Sequence, residues 1–198
     1  MTTGNRFKVA GTAVAFSGLV LAAIFISTPR GRALDRNEEL DPKNEQASSV
    51  VQIVALDECD PATFNAALGP DFCKNVAVGA ATKFGDFFAK AAAGTPDPNW
   101  DFEPDVVHIK KGTTLSVVDQ GGEPHTFTEV AHFGGGFIPD LNGGEPTVPE
   151  CAGGFSNLAV ARTRILQGSH SQFTGLSKGE HLFECCIHPW MRVRVEVK

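Results

Sequence analysis

GEHLFECCIHPWMRVRVEV, Gly179 to Val197, reads as two strands joined by a short loop. In MRVRVEV, Met191 to Val197, the residues Val193, Val195 and Val197 alternate with Arg192, Arg194 and Glu196. That period of two turns one face of a strand inward and the other to water. GEHLFEC, Gly179 to Cys185, supplies the preceding strand. The loop between them holds Cys185, Cys186, His188 and Met191 within seven positions, and each of these side chains can bind a soft metal. The adjacent cysteines leave open a metal site, a disulfide, or both.

The period of two extends upstream to Trp100. DVVHIKKGTTLSVVD, Asp105 to Asp119, predicts two strands around the turn Lys110-Lys111-Gly112. HTFTEV, His125 to Val130, predicts another strand after the turn GGEP, on a hairpin at the same end of the fold as the Cys185 loop. Residues 133–154 are rich in Gly and Pro and aperiodic, so they read as a long loop insertion, and RTRIL then resumes strand character. Before Trp100 the pattern is mixed. SVVQIVAL, Ser49 to Leu56, is a β-branched strand. DPATFNAAL follows, with Asp60 as N-cap and Pro61 at the first helical position. Phe84, Phe87, Phe88 and Ala91 recur at three and four, which predicts a second helix over 80–92.

The N-terminus is of another kind. Arg6 and Lys8 precede an apolar run from Val9 to Ile26, and Gly31-Arg32-Ala33 offers a peptidase site. This is an export signal cleaved after Ala33, or an uncleaved anchor of just sufficient length. Either way the domain is expected outside the cytoplasm, periplasmic or held at the outer face of the cytoplasmic membrane, where disulfides form. The net charge is −6. Residues 1–34 carry four basic residues and no acid, so the remainder is four charges more negative. Such acidity argues against nucleic acid or an anionic membrane surface as partner.

Cys185, His188 and Met191 stand three residues apart, so one tight loop can gather thiolate, imidazole and thioether about a point. That donor set suits copper, and a trigonal site needs a second imidazole, which His125 can supply. FEPDVVHIKKGTTLSVVD, HTF at His125, and CCIHPWMR followed by alternating valines together resemble the cupredoxins. The loop spacing is most similar to the amicyanin-type and plastocyanin-like members. The resemblance covers roughly residues 100–198, leaving the part before Trp100 and the 133–154 insertion outside the minimal domain.

The resemblance implies an all-β, cupredoxin-like antiparallel Greek-key β-sandwich, here with a short helical N-terminal extension and a long loop insertion. It implies one type 1 (blue) copper held by His125, Cys185, His188 and Met191. Phe183, two residues before Cys185, matches the aromatic that the family often carries there. It further implies a monomeric, non-enzymatic carrier of single electrons. His188 would lie near the surface as the electron port, and Trp190 and Pro189, with Phe133 or Phe137, would dock an unidentified redox protein.

With Cys185 assigned to copper, four of the five cysteines remain. Four allow three pairings. Proximity in sequence favours Cys59 with Cys73, leaving Cys151 for Cys186, which strand alternation turns away from the metal. Adjacent cysteines do not fit the spacing of a dinuclear copper centre. The absence of His-x-His argues against a multicopper oxidase or copper nitrite reductase, and no nucleophile elbow, P-loop or dinucleotide fingerprint occurs. Two other classes keep the same residues: a copper-delivery module without electron transfer, and a structural domain in which metal is incidental. His108, His132, His170 and His181 read as surface or structural. The expected division is 1–33 signal or anchor, 34–49 linker, 50–99 N-terminal strand and helical extension, and 100–198 copper domain.

Overall fold

The computed structural model describes residues 49–74 and 81–198. The segment expected to direct export, 1–33, and the linker over 34–49, Ser49 excepted, lie outside the described residues, as does the first residue of the helix expected over 80–92. Among the described residues no helix is long and apolar enough to cross a membrane.

In chain order the elements are β1 (Val50–Leu56), α1 (Pro61–Leu68), α2 (Phe84–Ala92), β2 (Asp101–Glu103), β3 (Val106–Ile109), β4 (Thr114–Asp119), β5 (His125–Thr126), β6 (Thr128–Val130), α3 (Leu158–Arg162), β7 (Arg164–Ile165), β8 (His170–Phe173), β9 (Gly179–Glu184) and β10 (Arg192–Val197). They form a four-stranded sheet in the order β2-β1-β4-β8, a second in the order β3-β10-β9-β6, and a two-stranded ribbon β5-β7. The fold is rich in β-structure, with helices α1 and α2 between β1 and β2 and α3 just after the insertion.

Alternation decides which side chains turn inward. Ile53 and Ala55 of β1, Leu115 and Val117 of β4, Val107 and Ile109 of β3, and Val193, Val195 and Val197 of β10 are all buried and belong to one apolar cluster. Burying a Val, Leu or Ile side chain is worth roughly 1.5–3 kcal/mol, so the eight such positions, with Ala55 beside them, drive the pairing of sequence-distant strands. The alternation of β1 runs past its end: Asp57 and Cys59 are buried in step with Ile53 and Ala55. The alternation of β4 likewise ends on the buried Asp119. Two inward rows therefore finish in carboxylates at the same end of the sheet, since β1 and β4 run parallel with Ala55 opposite Asp119.

Several expectations need correction. The strands are not uniformly antiparallel, because β1 pairs with β4 and β3 with β10 in parallel. Parallel neighbours require a crossover. β1 reaches β4 through α1, α2, β2 and β3, and the turn after Ile109 carries the chain from β3 in one sheet to β4 in the other. HTFTEV is not one strand. It breaks at Phe127, with β5 paired to β7 and β6 to β9, so His125 lies on the small ribbon and not on a hairpin with β4. Phe127 is fully buried and stacks on Phe183 with ring centroids 4.4 Å apart, and that packing turns the chain between sheets. The short strands β2 and β8 carry no alternation long enough to predict.

The helical region is tied into this framework. Asp60 caps α1, its carboxylate accepting from Thr63 N at 3.0 Å. The helix α2 begins at Phe84 after an N-cap at Lys83. Phe64 of α1 and Phe87 of α2 pack on Trp100, with centroids 6.1 and 4.7 Å from its ring. The chain before Trp100 thus supplies both a strand of the first sheet and part of the apolar cluster.

Cys59 is bonded to Cys73, and Cys151 to Cys186. The second bridge spans 35 residues of sequence. Closing such a loop restricts the unfolded chain by about 4 kcal/mol in the chain-entropy model.

His181 makes a separate contribution. Its Nδ1 lies 2.6 Å from Glu129 on the neighbouring β6, and its Nε2 lies 2.9 Å from Ser177 O. The Glu129 contact, followed by the Ser177 carbonyl, raises the imidazole pKa above its usual value. The folded state therefore holds the proton more tightly than the unfolded chain. The resulting stability is fully present below the unfolded pKa of about 6.5 and is lost as pH rises through the higher folded value. Denaturant unfolding of the parent and His181→Gln should show a gap at pH 5.5 that narrows by pH 8.5. A gap that widened with pH would contradict this assignment.

Candidate metal centre

His125 and His188 reach the same point from different elements. The β5-β7 pairing sets His125 opposite Ile165. The loop between β9 and β10 closes through Cys185 N to Met191 O at 3.1 Å and Met191 N to His188 O at 2.9 Å. Pro189 and the tight turn leave these backbone groups no strand partner, so the loop satisfies them internally. The result places His125 Nδ1 and His188 Nδ1 3.3 Å apart, with Cys185 Sγ 3.8 Å from the first and 3.9 Å from the second.

The donors fit a metal ion on their own chemistry. A soft thiolate and two imidazole nitrogens converge, at separations compatible with one ion about 2.0–2.3 Å from each. All three side chains are buried. Cys185 Sγ also accepts from Thr126 N and His188 N, each at 3.4 Å. Thr126 Oγ1 accepts from Cys186 N at 2.7 Å, so one residue of β5 grips both cysteines. Met191 is fully buried in the same apolar cluster. Burial pushes the Cys185 thiol up, but the two imidazoles outweigh it and hold the group well below its usual range. Burial likewise opposes charge on His125, whereas Asp57 and Cys185 raise its pKa well above the ordinary value.

The two cysteines separate in space. Cys186 leaves the metal cluster for a smaller apolar one with Val130, Val148, Cys151 and Val160. Gly136 packs against the Cys186 carbonyl so closely that a Cβ there would overlap it, and Phe137 N donates to that carbonyl at 2.9 Å. The insertion is thereby pinned beside the loop. Arg192 holds it from the other side, donating to Pro189 O, Gly134 O and Glu145.

The surroundings of His188 differ from what the resemblance implies. The imidazole is only 2 % exposed. Phe87 of α2 stands edge-on to it at 5.8 Å, and Trp190 lies 5.5 Å away. Glu123 Oε2 is 3.5 Å from its Nε2 and accepts from Trp100 Nε1 at 2.7 Å. Pro189 is buried as well, beside the end of α2 and the 141–145 turn. Trp190 is half-buried, its Nε1 donating to Trp100 O at 3.1 Å. With Pro189 it lines a cavity of about 220 Å³. Phe133 packs with the Cys151–Cys186 cluster under Arg192, while Phe137 touches both clusters.

Sequence reasoning missed Asp57, Phe87, Trp100 and Glu123 as neighbours of the site. The signal for Asp57 was present in the unbroken alternation Ile53, Ala55, Asp57, Cys59. Nothing in the sequence pointed from Phe87 to His188, since a helix contact 101 positions away has no local signature.

Asp57, Asp119 and His125 also bring donor atoms within 4.8 Å of one another. Asp57 Oδ1 already accepts from Gly122 N and Cys59 N, and Oδ2 from Glu123 N and His125 Nε2. That group has no free nitrogen lone pair for a cation. Among the described residues Asp119 Oδ2 finds no partner, and burial pushes its carboxyl up to about 7.

No family model matches the chain, and no curated protein does. Among solved structures it is similar to a methionine-to-alanine variant of amicyanin in the Cu(I) form, at 19% identity and a TM-score of 0.33, over 50% of this chain and 73% of that one. A reduced tryptophan-to-tyrosine variant of amicyanin is similar at 20% identity and a TM-score of 0.32, with the same coverage.

Proposed function

We propose that this protein is a type 1 copper protein that carries single electrons between redox partners outside the cytoplasm. The observation that carries this reading is the convergence of the buried His125 Nδ1, His188 Nδ1 and Cys185 Sγ, with Met191 fully buried in the same apolar cluster as Cys185. His125, Cys185 and His188 would hold the ion, with Met191 as a weak fourth ligand. The fold in this reading is a cupredoxin-like Greek-key sandwich over 100–198, preceded by the extension 50–99, a linker and an export signal or anchor. Copper bound there supplies a reversible one-electron couple.

The chain's own residues do the rest. Two strands and the Cys151–Cys186 bridge anchor the loop ends, so the donors keep their places when the charge of the site changes. Phe87, itself packed on Trp100, and Trp190 exclude water from His188. Trp190, partly buried and against the His188 ring, is the edge at which a redox protein docks, in place of His188 itself. The contact is a small, transient one by the monomeric carrier. Full burial of the donors works against delivery of copper to another protein, since release would require the loop to open.

The test is direct. The chain from about Ala33 is expressed, titrated with Cu(II), and examined by visible absorption and metal analysis. One copper per chain and an intense thiolate-to-copper band are expected. Stoichiometric copper without that band would favour a delivery module, and no stoichiometric copper would leave a structural domain.

A further inference from the structure

Asp57 stands 68 residues ahead of His125 in sequence, in the region before Trp100, yet its Oδ2 lies 3.0 Å from His125 Nε2 with both side chains fully buried. We propose that Asp57 is the positioning residue of the metal centre, fixing the His125 tautomer and strengthening its Nδ1 as a donor, so that the site favours Cu(II) over Cu(I). This rests on the copper reading above.

The geometry around the carboxylate is built for that role. Three backbone N–H groups donate to it: Gly122 at 2.9 Å, Glu123 at 3.0 Å and Cys59 at 3.3 Å. A carboxylate receiving so many donors is an acceptor only, so the imidazole must donate from Nε2. With copper bound, its Nδ1 then keeps the lone pair for the ion, on the side of Cys185 and His188. A buried anion at the distal nitrogen makes the imidazole a stronger base and offsets the added charge of the oxidised ion.

The cradle leaves no slack. A Cβ on Gly121 would overlap the Asp57 carboxylate, and one on Gly122 would come within 2.5 Å of Cys59 Sγ. Lys74 N donates to Gly122 O at 2.8 Å, just after the Cys59–Cys73 bridge. That disulfide therefore braces the turn that holds Asp57. Glu123 is a poorer candidate for the same role toward His188, at 3.5 Å and already taken by Trp100.

The experiment uses the copper-loaded protein. Voltammetry compares the parent with Asp57→Asn and with Glu58→Gln, whose residue stands between Asp57 and Cys59 in sequence and whose carboxylate accepts from Asn99. Asp57→Asn should shift the Cu(II)/Cu(I) affinity ratio about tenfold toward Cu(I), raising the potential by ~59 mV for one electron. Glu58→Gln should shift it less than about threefold, by ~28 mV on that scale. An unchanged potential in Asp57→Asn, or an equal shift in both variants, overturns the positioning role and leaves Asp57 a turn staple. Nitrogen NMR of the parent in the Cu(I) form decides the matter even if Asp57→Asn does not fold. A protonated, hydrogen-bonded His125 Nε2 supports the proposal, and a bare or metal-bound Nε2 overturns it. A parent that binds no copper defeats the functional reading instead, a result distinct from either.

Discussion

Cys185→Ser is expected to remove the intense visible band of the copper-loaded protein completely. Only a thiolate supplies the soft, covalent donation that such a band requires. Serine keeps nearly the same volume, and the site around Cys185 is already lined by Thr126 N, His188 N and two imidazoles that suit a hydroxyl. The variant should therefore fold, with unchanged far-UV circular dichroism, and affinity for Cu(I) should fall more than affinity for Cu(II). The informative contrast is Cys186→Ser. It breaks the bridge to Cys151 and lowers stability, but the band should persist because Cys186 faces the other cluster. A band that survived in Cys185→Ser and vanished in Cys186→Ser would reverse the assignment of the two sulfurs.

Trp100→Ala should cost about 4–5 kcal/mol of unfolding free energy, near the upper end for a buried tryptophan. Trp100 is among the largest fully buried side chains and packs against both Phe64 and Phe87, which also touch each other. Its loss opens a cavity beneath both helices. It also removes the Nε1–H donor of Glu123, itself buried, and an orphaned buried acceptor costs a further increment of about 1–3 kcal/mol. Trp100→Phe separates the two effects, since it fills most of the volume and lacks the donor. Guanidinium unfolding followed by far-UV circular dichroism measures both. A loss below about 1.5 kcal/mol for alanine would mean that the helices do not depend on this ring. Against a typical total of about 5–15 kcal/mol, the expected loss is large.

Much of the molecule was legible where the signal is local. The alternation of Val193, Val195 and Val197 appears in β10, Asp60 caps α1 beside Pro61, and the spacing of Phe84, Phe87 and Ala91 lies on α2. These patterns are legible because the period of an element and the hydrogen bonds of a cap involve residues within a few positions of one another. Pairing was less legible. The parallel register of β1 with β4, and the break of HTFTEV at Phe127, depend on which sheet each strand joins. No residue within the strand records that choice.

The sequence alone placed Cys185, His188 and Met191 within seven positions, so that any tight loop brings them near one another, and their residue types are the soft donors on which the copper reading rests. Cysteine parity and proximity in the chain also narrowed the bridges to one pairing among three. Only the tertiary structure decided the environment of those donors. It brought Asp57 to the far side of His125, laid Phe87 over His188, and buried Pro189, all through contacts between residues far apart in sequence. The physical reason is that donor identity is a covalent property of each side chain. Burial, tautomer and local field are properties of whatever packs against it, and packing is settled only when the whole apolar cluster closes.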